Sequence, residues 1–320
     1  MKIGIIGTGA FGIAIASVLY RNKNNITMWT AFEEEKGELE NNRVRKNLNN
    51  YEIPSQIHIT NDIEETMKDK DLIFIAVPAE FVSSTCKKMI PFTKNQHFCI
   101  ASKGIEEGSG LFLFDVLKNI LHTNNISVIS GPSFAIDIVN NVPIGLSLAS
   151  NNDTTANIVY NALENEKMKI FINDDLIGTC LCGAIKNVIA IASGIIDGLG
   201  YPISTQAMLI TQSLHDIEEL IKLLGGYERT ILSFAGFGDI ILTCTSTKSR
   251  NYSFGKLIGK RDNNLEDYMK NNTIEGLTAL RSISKIINDK SIDIPFIRII
   301  YEIVYNGLDP NELVLFLTKK

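Results

Sequence analysis

Residues 2–12 read KIGIIGTGAFG, a strand-like run from Lys2 to Ile6 followed at once by Gly7, Gly9 and Gly12 in the spacing G-x-G-x-x-G. In such a loop the first glycine permits a tight turn. The second lets the backbone approach a pyrophosphate, and the third lets helix pack on strand. The helix that follows offers free N–H groups and the positive end of its dipole to phosphate oxygens. A glycine-rich turn without a ligand has the same letters, so the hexapeptide alone is a weak signal. Its place directly after a buried-type strand, with Ala14, Ala16 and Leu19 on the following helix, makes it a nucleotide loop.

Working outward, the first half alternates apolar runs with helical patterns. Strand-length runs rich in β-branched residues occur at 2–6, 25–29, 72–77, 97–102 and 126–130, with helix-like segments such as 11–21 and 110–121 between them. Near-continuous apolar strands separated by helices indicate an α/β fold with a parallel sheet covered on both faces. Further strands at 144–150 and 169–174 flank a helical segment at 153–165 and close this half. From about residue 176 helical periods follow one another at 183–197, 205–224, 250–258, 276–288 and 294–305, broken by glycine-bearing separators. The expected division is therefore an α/β domain over 1–176 and an all-helical domain over 177–320. The Asn-rich segments 41–50 and 263–272 read as solvated loops.

Composition sets the class. Of 320 residues, 45% are hydrophobic and 21% charged, as in ordinary soluble domains. A formal net charge of −5 argues against a general nucleic-acid binder, so an anionic substrate would need a local cluster of cations. The five cysteines are scattered and form no metal-ligand pattern; reduced thiols and a cytoplasmic location are expected. The N-terminal stretch lacks the features of a signal peptide. No run approaches the roughly 20 uninterrupted apolar residues that a membrane span needs.

The second strand ends near Met28–Ala31, where an acid would take a ribose 2′-hydroxyl. The chain has Trp29, Thr30 and Ala31 there, with Glu33–Glu35 only later, and no Arg or Lys at once for a 2′-phosphate. NAD and NADP both stay open.

Hydride transfer to a carbonyl needs a proton donor beside the developing alkoxide, usually with a cation. The four histidines stand in no catalytic setting, which turns attention to lysine. Lys103, in CIASKGIE, follows a strand at the sheet edge where open α/β folds bind ligands; the bland alternative is a solvated loop lysine. SGPSFA, with Gly131 and Ser133, is a second strand-end loop, either a source of donors or a simple turn. Lys186, in GAIKNVIAIASG, lies among small and apolar residues, where an ammonium loses hydration. Either it snorkels to the surface or it has a partner. Asp239, in the apolar AGFGDIILTCT, is the candidate partner. STKSRNYSFG sets Lys248, Arg250 and Asn251 beside hydroxyls at a helix start, suited to phosphate oxygens or merely to an exposed helix terminus.

Together, GTGAFG, AVP, SKGIE, SGPSFA, GAIKNVIAIASGIIDGLG, AGFGDIILTCTSTKSRNYSFG and IEG resemble the NAD(P)-dependent glycerol-3-phosphate dehydrogenases, in that family's order from residue 3 to about 305. The resemblance implies an N-terminal Rossmann domain with a doubly wound sheet, a C-terminal all-helical domain, a site in the cleft between them and a homodimer. It implies interconversion of sn-glycerol 3-phosphate and dihydroxyacetone phosphate, supplying phospholipid synthesis, with no metal. By the same likeness the catalytic residues are Lys186 as general acid/base, Asp239 as its electrostatic partner and Lys103 as a contact to both substrate and cofactor, with Lys186 and Asp239 also touching substrate. Gly131, Ser133, Ser249, Arg250 and Asn251 would hold substrate. Gly7, Gly9, Ala10, Phe11, Gly12, Ala135, Arg250 and Glu275 would meet the dinucleotide.

The chain departs from the family pattern in two places. Ala31 stands where relatives often carry a base toward a 2′-phosphate, which favours NAD(H) at least equally. Gln206, Thr211, Gln212 and Ser213 replace a basic residue and a TRG stretch. Two rival readings are a β-hydroxyacid dehydrogenase relative and a nucleotide-binding redox sensor without turnover. The first would lack SKGIE and SRN, and the second would not need Lys186 and Asp239 together with a phosphate-type cluster.

Overall fold

The computed structural model describes residues 1–319. The described residues form two compact units, residues 1–103 with 113–176, and residues 104–112 with 177–319.

The first unit runs β1 (Lys2–Ile6), α1 (Ala10–Arg21), β2 (Asn25–Trp29), α2 (Glu33–Asn42), β3 (Val44–Arg45), β4 (Tyr51–Glu52), β5 (His58–Thr60), α3 (Ile63–Met67), β6 (Leu72–Ile75), α4 (Ala79–Met89), β7 (His97–Ile100), α5 (Leu113–Leu121), β8 (Ile126–Ser130), α6 (Ala135–Val139), β9 (Ile144–Ala149), α7 (Asp153–Leu163) and β10 (Met168–Asn173). Its main sheet has the order β10-β9-β8-β7-β6-β1-β2-β5. Every pairing in it is parallel except β8 with β9. The six strands from β5 to β8 follow the doubly wound order, with β1 at the point where chain direction across the sheet reverses. There Ile3 pairs with Ile26 on one side and Leu72 on the other. Strands this central are buried on both faces, and β6 and β8 are buried along their whole length.

The strands at 72–77 and 97–102 stop two residues earlier than their apolar runs. Ala101 and Ser102 both turn their N–H groups to the Ile75 carbonyl and leave the ladder. β5 and the short β3–β4 ribbon were not expected. Segment 41–50 is built into α2, β3 and a helical turn at 46–48 rather than being an open loop.

The second unit contains α8 (Leu176–Gly198), α9 (Ile203–Leu223), α10 (Asp239–Cys244), α11 (Arg250–Lys260), α12 (Leu265–Asn271), α13 (Glu275–Asp289), α14 (Pro295–Asn306) and α15 (Asn311–Thr318). Expected as a loop, 263–272 contains α12 instead. This helix buries none of its residues, so it carries no apolar stripe, while Glu266 and Asp267 in its first turn and Lys270 in its last match the helix dipole.

Residues 104–112 belong with this unit because Ile105 is buried there, its carbonyl accepts from Ser282 Oγ at 3.4 Å, and Glu107 pairs with Arg281 at 2.5 Å. By length and composition alone α8 could cross a membrane, but Lys186, Asn187 and Asp197 interrupt its apolar run, and its apolar window is buried inside the fold, as in a core helix. All five cysteines are buried and none forms a disulfide.

Candidate functional site

The chemistry-bearing residues lie in two groups, one in each unit. In the first, β1 delivers the chain into the glycine loop, and Gly7 N–H bonds the Trp29 carbonyl at 2.9 Å, tying the loop to the end of β2. A side-chain carbon at Gly12 would meet the Gly7 carbonyl oxygen at 2.3 Å, so α1 packs this closely only because residue 12 is glycine. A carbon at Gly9 would meet nothing within 4 Å, which leaves the approach that a pyrophosphate needs. Ala10 and Phe11 open α1 beside that space, and the loop therefore fits a dinucleotide.

Beside the loop, Lys103 Nζ donates to the Gly131 carbonyl at 3.3 Å and lies 5.9 Å from the centre of the Phe11 ring, a cation over an aromatic face. Ser133 Oγ donates to the same carbonyl at 2.9 Å. Lys103, Phe11, Gly131 and Ser133 thus gather at the strand ends of one unit. Ala135 follows as the first residue of α6.

Glu35, in the first turn of α2, also reaches this region. Its carboxylate accepts from Thr8 Oγ1 in the glycine loop at 2.8 Å, from Thr30 Oγ1 at 2.5 Å and from an Arg45 Nη1 at 2.7 Å. Ala31 is exposed and makes no such contact with them.

In the second unit the lysine on α8 is 8% exposed and its partner on α10 is 1% exposed. Lys186 Nζ lies 2.6 Å from Asp239 Oδ1 and donates to Thr243 Oγ1 at 3.1 Å. Thr243, one turn beyond Asp239, in turn donates to the Asp239 carbonyl at 2.6 Å. The carboxylate enters from the first turn of α10, where the dipole favours negative charge. A π-type turn over Phe234–Gly238 precedes α10 and sets its entry. Burial pushes the neighbouring Cys244 thiol far up, and its Sγ lies 3.9 Å from the Lys186 carbonyl oxygen. The carboxylate and hydroxyl supply the polar partners that an amine in so dry a place would otherwise take from water.

Next to Lys186, Asn187 starts a second polar chain. Its Nδ2 donates to Glu275 Oε2 at 3.3 Å, and its Oδ1 accepts from Asn251 Nδ2 at 2.9 Å. Asn251 Oδ1 accepts the Gly276 N–H at 2.8 Å. The contact is possible because α11 runs against α8: a side-chain carbon at Gly255 would sit 2.0 Å from the Ile191 carbonyl oxygen. Ser249 caps α11, accepting from the Tyr252 N–H at 3.2 Å, while Arg250 is exposed at the helix start. The expected trio is thus divided: Ser249 caps a helix, Asn251 joins the polar chain, and Arg250 faces outward.

The family departures settle within α9. Gln212 bonds Asp216 at 3.3 Å, and Thr211 and Ser213 bond their own helix backbone. Gln206 is buried. Sequence reasoning missed Thr243, Glu35 and Arg45; the i, i+4 spacing of Thr243 from Asp239 was the available signal for the first.

Two family models match the chain, the NAD-dependent glycerol-3-phosphate dehydrogenase N-terminus over residues 2–156 and the C-terminus over residues 175–315. A glycerol-3-phosphate dehydrogenase [NAD(P)+] of Thermoanaerobacter sp. (strain X514) is 35% identical over 317 residues, covering 98% of this chain and 96% of that one. A relative of the same description from Fusobacterium nucleatum is 32% identical over 320 residues, covering 98% and 95%. Among solved structures, a glycerol-3-phosphate dehydrogenase from Coxiella burnetii superposes with a TM-score of 0.94 at 30% identity, covering 100% of this chain and 99% of that one. A D-mandelate dehydrogenase, at 15% identity and a TM-score of 0.68, shares the fold alone. Across its whole length, this chain belongs to the NAD-dependent glycerol-3-phosphate dehydrogenase family.

Proposed function

We propose that the protein interconverts sn-glycerol 3-phosphate and dihydroxyacetone phosphate, with Lys186 as its general acid/base. The observation that carries the residue assignment is the 2.6 Å contact between Lys186 and Asp239, both buried, on α8 and α10. The glycine loop would hold a nicotinamide dinucleotide, which would supply or accept the hydride at C2 of the substrate. In the reducing direction the Lys186 ammonium donates a proton to the oxygen that becomes the C2 hydroxyl, and takes one back from solvent afterwards; in the oxidising direction the neutral amine accepts it. Asp239 and Thr243 fix the amine's position, so little reorganisation is needed as charge develops.

Gly7, Gly9, Ala10, Phe11 and Gly12 would hold the dinucleotide pyrophosphate, with Ala135, Glu275 and Arg250 as further contacts. Lys103, Gly131 and Ser133 would orient substrate, and Arg250 with Ser249 and Asn251 would take its phosphate end. The burial of Ser249 and Asn251 makes them supports for Arg250 more than direct ligands. The reading extends to a cytoplasmic homodimer that feeds phospholipid synthesis and uses NAD(H) at least as well as NADP(H), since Ala31 offers no base.

Substrate profiling tests the reaction. NADH oxidation with dihydroxyacetone phosphate and no turnover with carboxylated β-keto acids is expected. The reverse preference would favour a β-hydroxyacid dehydrogenase, and binding without turnover of either would favour a redox sensor. A tenfold preference in kcat/KM for NADPH over NADH would overturn the cofactor assignment.

A further inference from the structure

The end of β2 carries no acid, yet a carboxylate stands beside it. Glu35 lies six residues beyond Trp29, and the first turn of α2 brings its side chain back to the strand end. There its Oε2 meets Thr30, the residue that follows β2, and Thr8, which lies between the first two glycines of the nucleotide loop. Its Oε1 meets Arg45. Glu35 and Arg45 are both mostly buried, with side chains 25% and 22% exposed. Burial alone would raise the Glu35 carboxyl, but the hydrogen bonds from Thr30, Arg45 and Thr8 reverse that and hold it below the usual carboxylate range.

We propose that Glu35 selects the adenosine ribose of the dinucleotide, and that Arg45 is its counter-charge and a latent ligand for a 2′-phosphate. This rests on the glycine loop being a dinucleotide site and deepens that reading. The position fits: a carboxylate bonded to both the β2 end and the glycine loop occupies the place from which a ribose 2′-hydroxyl is read in doubly wound folds. So does the valence. An ionised carboxylate offers about four acceptor positions, three are filled by Thr8, Thr30 and Arg45, and one is left for a hydroxyl donor. A 2′-phosphate brings acceptors and charge of the same sign, which this carboxylate repels. The cation that would welcome the phosphate is engaged: Arg45 Nη1 is held by Glu35, and its Nε donates to Asn47 Oδ1 at 3.1 Å. Discrimination thus arises from a carboxylate supplied by α2, and not only from the missing base at Ala31.

Calorimetric titration with ADP-ribose and with 2′-phospho-ADP-ribose tests this on wild type, Glu35→Gln, Arg45→Leu and the double variant. The wild type should bind ADP-ribose at least about tenfold more tightly. Glu35→Gln keeps an acceptor for the two threonines, removes the charge and releases Arg45, so the preference should shrink by about tenfold or more. Adding Arg45→Leu to it should remove the gain for the phosphorylated ligand. Arg45→Leu alone should sharpen the wild-type preference by about threefold, because the carboxylate loses the charge that offsets it, and this arm carries the test should Glu35→Gln not fold.

A purely structural staple between α2 and the loop would weaken both ligands equally in Glu35→Gln, and that result overturns the proposal, as does wild-type binding of both ligands with equal affinity. A parallel assay of wild type with NADH and dihydroxyacetone phosphate separates the two readings. Discriminating binding without turnover would sink the dehydrogenase assignment and spare this one, whereas turnover without discrimination would do the opposite.

Discussion

Cutting the Lys186–Asp239 pair from either end should cost more than cutting it from both. The two groups are 8% and 1% exposed and touch at 2.6 Å, so each single substitution strands an ionised partner away from water. Breaking such a pair costs about 3–5 kcal/mol, while replacing both members by apolar residues of similar volume is often neutral or stabilising. In a folding unit of this size each kcal/mol moves Tm by roughly 2–4 °C. Lys186→Met and Asp239→Leu should therefore each melt about 6–20 °C below wild type. Lys186→Met/Asp239→Leu should lie within about 2 kcal/mol of wild type, giving a coupling of at least about 4 kcal/mol in the cycle. All three should lose turnover, which separates the chemistry of the pair from its effect on stability. Melts followed by far-ultraviolet circular dichroism, with urea titrations for free energies, measure the cycle. Single variants that each lose under about 1 kcal/mol, or a double variant no better than the worse single, would refute a sealed ion pair.

Other consequences are open to direct measurement. Gly9→Ala should fold with unchanged Tm and lose at least about tenfold in NADH affinity, since its new carbon enters only open space. Gly12→Ala should lose about 1–3 kcal/mol or more against the Gly7 carbonyl. A Gly9→Ala protein that binds NADH normally would refute the loop assignment. Glu35 contributes stability that is present above the unfolded carboxyl's value, about 4.3, and is lost as pH falls through its lower folded value. The Tm gap between wild type and Glu35→Gln should accordingly be widest at pH 6 and close toward pH 3; a constant gap would refute the charge-based account. Burial pushes Cys99 up to about 12 and Cys244 higher still, so neither should be alkylated by iodoacetamide at pH 8 until the protein unfolds, as intact-mass spectrometry would show.

Most of the first unit was legible because central parallel strands are apolar on both faces. The ranges 2–6, 25–29 and 126–130 match β1, β2 and β8 residue for residue. Two kinds of element escaped. β5 is three residues long and pairs with β2 alone, too short for its own pattern. α12 is polar all round, so its periodicity is silent, and only its terminal charges signal a helix. Residues 104–112 follow a strand in sequence but bury Ile105 in the helical unit, a choice made by packing and invisible in local composition. In the site, Lys186 and Asp239 were legible as charges in apolar stretches, because a buried charge needs a partner. The chain from Glu275 through Asn187 and Asn251 to Gly276 joins three helices and has no local signature. Glu35 has no signature in the residues directly after β2, because only the first turn of α2 folds it back to the strand end.

The most direct test of the central claim is the rate of NADH oxidation with dihydroxyacetone phosphate by wild type and Lys186→Ala, on protein shown by circular dichroism to be folded. The account predicts turnover by wild type and a fall in kcat of about 10²-fold or more in the variant, as expected for loss of a positioned general acid. A folded Lys186→Ala protein that reduces dihydroxyacetone phosphate at the wild-type rate would contradict it.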